Sequence, residues 1–299
     1  MGRNEDMLQR IINEALKEDI GLGDITSQLL IPKNKQVEAV ILIKENAVIA
    51  GLEVVKQIFK KIDKTLRITF GCKDGSYQKK GRIIAFVRGD AQSILRAERT
   101  ALNLLSHLCG IATATRKFVD RVKPYKVKIL DTRKTIPGLR QLQKYAVKIG
   151  GGHNHRMGLY DGVLIKDNHI AALCVTCPER SQRVRRASCV KELVETAKAK
   201  APKRLKIEVE VINLEEFKEA LTLVPDIIML DNMKIRDIKK AVEFKRNTRY
   251  AQRLTHIEVS GGVTLDNVRA IAKTGVDSIS IGSLTHSVKA IDISLEVVT

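Results

Sequence analysis

Six short apolar runs after Pro124 constrain this chain most: VKILDT, GVLIKDN, LKIEVEV, DIIMLDN, HIEVSGG and SISIGSL. Stretches at helical spacing lie between them, such as 213–224 (NLEEFKEALTLV) and 265–275 (LDNVRAIAKTG). Strands that are apolar along their length are covered on both faces. Strand, loop and helix in regular alternation therefore predict a parallel sheet covered by helices. Six or seven such units predict a barrel rather than an open doubly wound sheet. Nearly every run ends in a polar or small residue: Asp131, Lys166, Glu210, Asp231, Ser260 and Gly282. The C-terminal strand ends of a β/α barrel build its active site, so these residues predict one mouth lined from all sides.

The first part of the chain reads differently. Leu8, Ile11, Ile12, Ala15 and Leu16 share the face of an amphipathic helix. The segments 37–52, 66–70 and 82–89 read as short strands joined by turns, which predicts an antiparallel sheet. From Ser93 the period becomes helical, and Arg96, Arg99 and Asn103 share one face. The expected division is residues 1–115 and 116–299, with the extreme C-terminus packing on the first part.

No apolar run approaches the roughly 18 residues that span a bilayer, and the first 19 residues carry acids and no apolar core of a secretory signal. An odd set of five cysteines argues against a disulfide framework and for a reducing cytoplasm. Cys174, Cys177 and Cys189 offer three thiols, but zinc wants four ligands and the fourth is not evident. The net charge of +19 is dispersed, and aromatics make up only 4% of the chain. A nucleic-acid-binding face would pair a basic stripe with aromatics; a field that attracts anionic ligands explains the charge better.

The stretch Asp131–His169 carries the chemistry: DTRKTIPGLRQLQKYAVKIGGGHNHRMGLYDGVLIKDNH. Arg133, Lys134, His155, Arg156 and Lys166 sit at strand ends or in the loops that follow. So many cations converge only around something strongly anionic. Guanidinium groups grip carboxylates or phosphates in bidentate fashion, and lysine supplies a point charge. Gly150, Gly151 and Gly152 are expected to let the main chain approach a ligand. Neither His153 nor His155 has metal-ligand spacing. Lys166 suits anion binding, with a Schiff-base nucleophile as the alternative. Glu210 and Asp231 end neighbouring strands and suit a ribose, a developing positive charge or Mg²⁺ held through water. Glu208 faces the same way as Glu210, but deeper. Ser260, Gly261, Gly262, Gly282 and Ser283 enter the last two loops, a recurrent phosphate site.

In this order, the motifs resemble the quinolinate phosphoribosyltransferase family, a type II phosphoribosyltransferase family. The likeness spans EDIGLGDITS, AERTALNLLSHLCGIAT, the DTRKT block, IKDNHI, EVEV, IMLDNM, EVSGGVTLDN and IGSLTHS. It implies an N-terminal α/β sandwich domain followed by an incomplete α/β barrel, working as a homodimer or a higher assembly of dimers. It implies transfer of the ribosyl phosphate of phosphoribosyl pyrophosphate (PRPP) to quinolinate, with Mg²⁺, in NAD biosynthesis. Carried onto this chain, it places Arg133, His155 and Arg156 around the quinolinate carboxylates and counts Thr132 among the substrate-binding residues. Arg99 would reach in from the other subunit. Lys134 and Lys166 would hold the anionic groups of PRPP and substrate. Glu210 and Asp231 would lie near the ribose and its metal, and the SGG and GS loops would take the 5′-phosphate.

Three competitors differ in what they predict. A nicotinate phosphoribosyltransferase takes a mono-acid, whereas three arginines favour a di-acid. A nucleic-acid-binding protein would show salt-sensitive binding without turnover. A Schiff-base lyase would be trapped by borohydride at Lys166. The Cys- and Arg-rich segment 171–190 departs from the family pattern and is expected to remodel the loop and helix after KDNHI.

Overall fold

The computed structural model describes residues 2–174, 182–248 and 255–298. The strands in chain order are β1 (Gln36–Ile43), β2 (Ala47–Val48), β3 (Arg67–Phe70), β4 (Tyr77–Gln78), β5 (Ile83–Asp90), β6 (Lys128–Leu130), β7 (Val163–Ile165), β8 (Ile207–Val211), β9 (Ile227–Asp231), β10 (His256–Ser260), β11 (Ser278–Ser280) and β12 (Ile293–Val298). The chain divides into two compact units. One holds residues 1–116, 134–152 and 283–299; the other holds 117–133 and 153–282.

The first unit contains an antiparallel sheet in the order β12-β1-β5-β3 and a small β2-β4 ladder. Its fourth strand comes from the far end of the chain, which pairs Ile293–Val298 with β1. Ile41, Ile43, Ile84 and Val87 of this sheet are buried, as are Ile58 and Phe59 of the helix Leu52–Ile62. Leu102, Leu105 and Leu108 of the long helix Ala91–Val122 are buried too. Burying each such side chain stabilises the fold by about 1.5–3 kcal/mol. The predicted N-terminal helix spans Gly2–Ile20 and buries Ile12 and Leu16.

The triple glycine has a packing role. A Cβ on Gly150 would lie 2.6 Å from the Ala112 carbonyl oxygen and 2.6 Å from the Thr115 Cβ, and one on Gly152 would lie 2.8 Å from the Thr115 methyl. The Arg116 Nε donates to the Gly150 carbonyl at 2.9 Å. These glycines let the end of the helix Arg140–Ile149 press against the helix Ala91–Val122. At Gly151, φ is +94°, where a side chain would be strained.

The second unit is built on a six-stranded parallel sheet in the order β6-β11-β10-β9-β8-β7. Helices follow the strands, among them Leu214–Thr222, Ile235–Arg246 and Val268–Lys273. The strands run through in sequence and end on β6, which leaves a seam between β6 and β7. This is the incomplete barrel. His153 borders the seam: its N–H donates to the Ile129 carbonyl at 2.8 Å, and the Asp131 N–H donates to its carbonyl at 3.1 Å.

Register then decides which side chains share a face. Glu210 and Glu258 both stand level with Met229 on the intervening strand, and Glu258 stands level with Ser278. Successive side chains alternate between faces. Glu208, Glu210, Asp231, Glu258, Ser260, Ser278 and Ser280 therefore share one face, whereas Val209, Ile228, Leu230, Val259 and Ile279 are buried on the other. Among the described residues no helix is long and apolar enough to cross a membrane.

A candidate active site at the strand ends

Lys166 follows β7, and Glu210 lies near the end of β8. The Lys166 Nζ donates to the Glu210 Oε2 at 2.8 Å, with the lysine 43% exposed and the glutamate 7%. A buried carboxylate needs such a partner, since an uncompensated charge is costly away from water.

On the next strand Asp231 is held from its neighbour. Asn232 has φ +52°, in the left-handed region that asparagine tolerates best among non-glycine residues. Its side-chain amide donates to the Asp231 Oδ2 at 2.8 Å, and its main-chain N–H donates to the Ser260 carbonyl at 2.9 Å. A Cβ on Gly261 would overlap the Asn232 Oδ1. Gly261 and Gly262 have φ +83° and +59°, so the chain turns sharply after β10. The SGG sequence is thus dictated by its neighbour as well as by the turn. Gly282 follows β11, and Ser283 opens the short helix Ser283–His286.

The seam side carries the arginines. Asp131 is buried, and its Oδ1 accepts the His155 main-chain N–H at 2.9 Å. It organises the loop beneath the site. Thr132 and Arg133 leave β6 beside it in sequence. The Arg156 Nη1 donates to the Gly162 carbonyl at 2.9 Å. Burial, with the neighbouring Arg133 charge, lowers the Arg156 pKa, and Glu208 opposes that shift. Two guanidinium groups are therefore close enough to repel each other.

His155 is enclosed. Its Nδ1 accepts the Arg156 main-chain N–H at 2.8 Å. Its Nε2 lies 3.1 Å from the Glu208 Oε2 and 3.5 Å from the Glu258 Oε1. The Ser278 hydroxyl donates to the other Glu258 oxygen at 3.2 Å. Burial and the Glu208 charge push the Glu258 carboxyl up to about 7. The three groups lie within 4.8 Å of one another.

The second unit thus holds Thr132, Arg133, His155, Arg156, Lys166, Glu210, Asp231, Ser260, Gly261, Gly262 and Gly282. Arg99, Lys134 and Ser283 belong to the first. There the Arg99 side chain is 62% exposed, its Nη2 3.7 Å from Glu98. The Thr285 hydroxyl donates to the Lys134 carbonyl at 2.6 Å. Glu258 and Asn232 were not among the sequence candidates. The available signal for Glu258 was an acid inside the apolar run HIEVS, two residues before Ser260, as Glu208 precedes Glu210. Cys177 lies outside the described residues, as does residue 180 and the rest of 175–181. In the described part of that segment, the Arg186 Nε pairs with the Glu216 Oε1 at 2.8 Å, a contact within the unit rather than at the strand ends.

Comparison with known proteins agrees along the whole chain. Residues 24–109 match the family model "Quinolinate phosphoribosyl transferase, N-terminal domain", and residues 111–296 match the C-terminal domain of that name. The probable nicotinate-nucleotide pyrophosphorylase [carboxylating] of Bacillus subtilis (strain 168) is 41% identical over 297 residues, covering 98% of this chain and 94% of the relative. Its counterpart in Methanocaldococcus jannaschii is 43% identical over 300 residues, covering 98% of each. The solved nicotinate-nucleotide pyrophosphorylase from Francisella tularensis superposes with a TM-score of 0.85 at 40% identity, covering 100% of this chain and 98% of that one.

Proposed function

The chain belongs to the quinolinate phosphoribosyltransferase family, and we propose that it transfers the phosphoribosyl group of PRPP to quinolinate. Pyrophosphate and CO₂ leave, and nicotinate mononucleotide is formed. The observation that carries this reading is a pair of neighbouring guanidinium groups in the seam-side loops together with two carboxylates at adjacent strand ends. Arg133 and Arg156 stand together on the seam side, and Glu210 and Asp231 end adjacent strands.

Two neighbouring guanidinium groups suit the two carboxylates of a pyridine di-acid, each gripping one in bidentate fashion. A mono-acid would engage only one of the two in this way, which favours quinolinate over nicotinate. The ribose carbon gains positive charge as pyrophosphate departs. Glu210 and Asp231 supply fixed negative charge for it. Lys166 bridges the two roles, since it holds the Glu210 carboxylate and presents a cation to the departing oxygens. The turn at Gly261 and Gly262, with Gly282, takes the 5′-phosphate. CO₂ leaves from the carbon next to the ring nitrogen once that nitrogen carries the ribose and a positive charge, and the electron pair left on that carbon takes up a proton from water.

The carboxylates also fit Mg²⁺, which prefers oxygen ligands and keeps several waters. Lys166 holds one oxygen of Glu210 and Asn232 one oxygen of Asp231, and the other oxygen of each lies outside those contacts. Mg²⁺ bound with PRPP would lie near these two residues and neutralise pyrophosphate charge.

The active species is a cytoplasmic homodimer to which each copy lends its exposed Arg99. Purified protein with quinolinate, PRPP and Mg²⁺ should yield nicotinate mononucleotide and CO₂; turnover with nicotinate alone would overturn the assignment. Mixing inactive Arg99→Ala and Lys166→Ala subunits should restore part of the activity, and none in verified heterodimers would refute the shared site.

A further inference from the structure

Lys166 occupies an awkward place in the chain. It follows β7, an edge strand of the parallel sheet, whose ladder with β8 ends at Ile165 opposite Val209. Past Ile165 that ladder no longer fixes the main chain. Lys166 also precedes the helix Asp167–Cys174, and its carbonyl accepts the Ile170 N–H at 3.1 Å. It is therefore the N-cap of that helix. A lysine side chain has no acceptor with which to cap, and its charge lies at the positive end of the helix dipole. The side chain is committed to Glu210 instead, at 2.8 Å.

His169 supplies what the lysine lacks. Its Nδ1 accepts the Lys166 main-chain N–H at 2.9 Å. Its own main-chain N–H donates to the Lys166 carbonyl at 2.9 Å. The two residues thus close a ring of reciprocal bonds. A capping box has this layout at its third helical position, where a glutamate or glutamine side chain reaches back to the N-cap N–H. Here an imidazole takes that place. Ile170 beside it is fully buried and anchors the helix, whereas His169 is exposed, so packing does not account for a histidine there.

We propose that His169 is a positioning residue for Lys166, an inference that rests on the role given to Lys166 in phosphoribosyl transfer. The ring holds the lysine main chain where it leaves the sheet, so that Nζ stays on the Glu210 carboxylate and faces the departing oxygens. A lysine side chain has ample rotamer freedom, and it loses its aim once its root moves. The histidine thus acts through the lysine and not on the substrate. Glutamine, the usual residue at this position of a capping box, replaces the acceptor. Alanine does not, and as the best helix former it isolates the lost hydrogen bond from helix propensity.

Three measurements on the full-length protein test this. Hydrogen exchange at the Lys166 amide should quicken about fivefold or more in His169→Ala and return toward the wild-type rate in His169→Gln. Steady-state kinetics should show His169→Ala lowering kcat by about tenfold with the quinolinate KM little changed, and His169→Gln recovering most of that loss. In a Lys166→Ala background, His169→Ala should remove no further activity, since both changes act through one group. A glutamine variant as impaired as the alanine one, or a further loss in the Lys166→Ala background, would place the ring on the substrate and overturn the proposal. An unchanged exchange rate in His169→Ala would overturn it too. The exchange measurement requires no turnover, so it remains decisive if the reaction proves to be a different one.

Discussion

Lys166 and Glu210 meet at 2.8 Å across neighbouring strands, one largely at the surface and the other buried. Each depends on the other: the lysine compensates a carboxylate below it and is itself held in one position. Lys166→Ala should therefore lower kcat/KM by about a hundredfold or more, with the larger loss in kcat. Glu210→Gln should act in the same direction and leave quinolinate binding near normal. Initial rates with each substrate varied check both, and an unchanged kcat in Lys166→Ala would remove the lysine from the chemistry.

Arg133 acts on binding rather than on folding. Arg133→Ala should abolish measurable quinolinate binding by calorimetry while the far-UV circular dichroism stays like that of the wild type. Removing one guanidinium of the pair also relieves repulsion on Arg156, so thermal stability should not fall. Normal affinity in this variant would refute its role.

Gly261 has two reasons to be glycine: a φ of +83° and the Asn232 side chain, which a Cβ would overlap. Gly261→Ala should displace Asn232 and, with it, the Asp231 carboxylate. The expected result is a PRPP KM raised by about tenfold or more with a smaller change for quinolinate. Asn232→Gly keeps the turn and removes the amide donor, so it should lower kcat with little loss of stability.

Gly150 separates a packing role from a ligand role. Its added Cβ would meet main chain and side chain of the helix Ala91–Val122 at 2.6 Å. Gly150→Ala should cost about 1–3 kcal/mol of stability by overpacking. A thermal melt should move down, while both KM values stay close to wild type in the folded fraction. A changed KM at normal stability would return this glycine to the site.

Glu258 makes stability depend on pH. Its carboxyl is raised in the fold from 4.5 to about 7, by burial and then by Glu208, while His155, Ser278 and Ser280 favour the ion. The folded state thus holds the proton more tightly than the unfolded chain. The associated stability is present below the unfolded value and is lost as pH rises through about 7. Glu258→Gln removes that loss. Its melting temperature should gain on wild type as the pH rises from about 5 to about 8, and parallel curves would show that the carboxyl does not titrate there.

Several features were set by the order of residues alone, because they depend on short-range chemistry. The alternation of apolar runs with helical spacing is local, so the parallel sheet and its covering helices follow from it. Strand ends face one way in such a sheet, so Lys166, Glu210, Asp231 and Ser260 were predicted at one mouth from their places in the runs. The lines DTRK, HNHR and KDNH likewise announce an anion site, since cations cluster at such cost only around opposite charge.

Tertiary structure decided the rest, because it depends on which distant strands lie side by side. Glu258 meets His155 only through the strand order and the seam beside β6, and nothing within either segment indicates the other. The same pairing sets the two nitrogens of His155 against a main-chain N–H on one side and the Glu208 carboxylate on the other. Gly150 to Gly152 announced a flexible main chain in the sequence; the presence of Ala112 and Thr115 beside them decided that the freedom is used for close helix packing. Pattern determines which face a side chain joins, whereas long-range packing determines its hydrogen-bond partner, and the partner fixes its role.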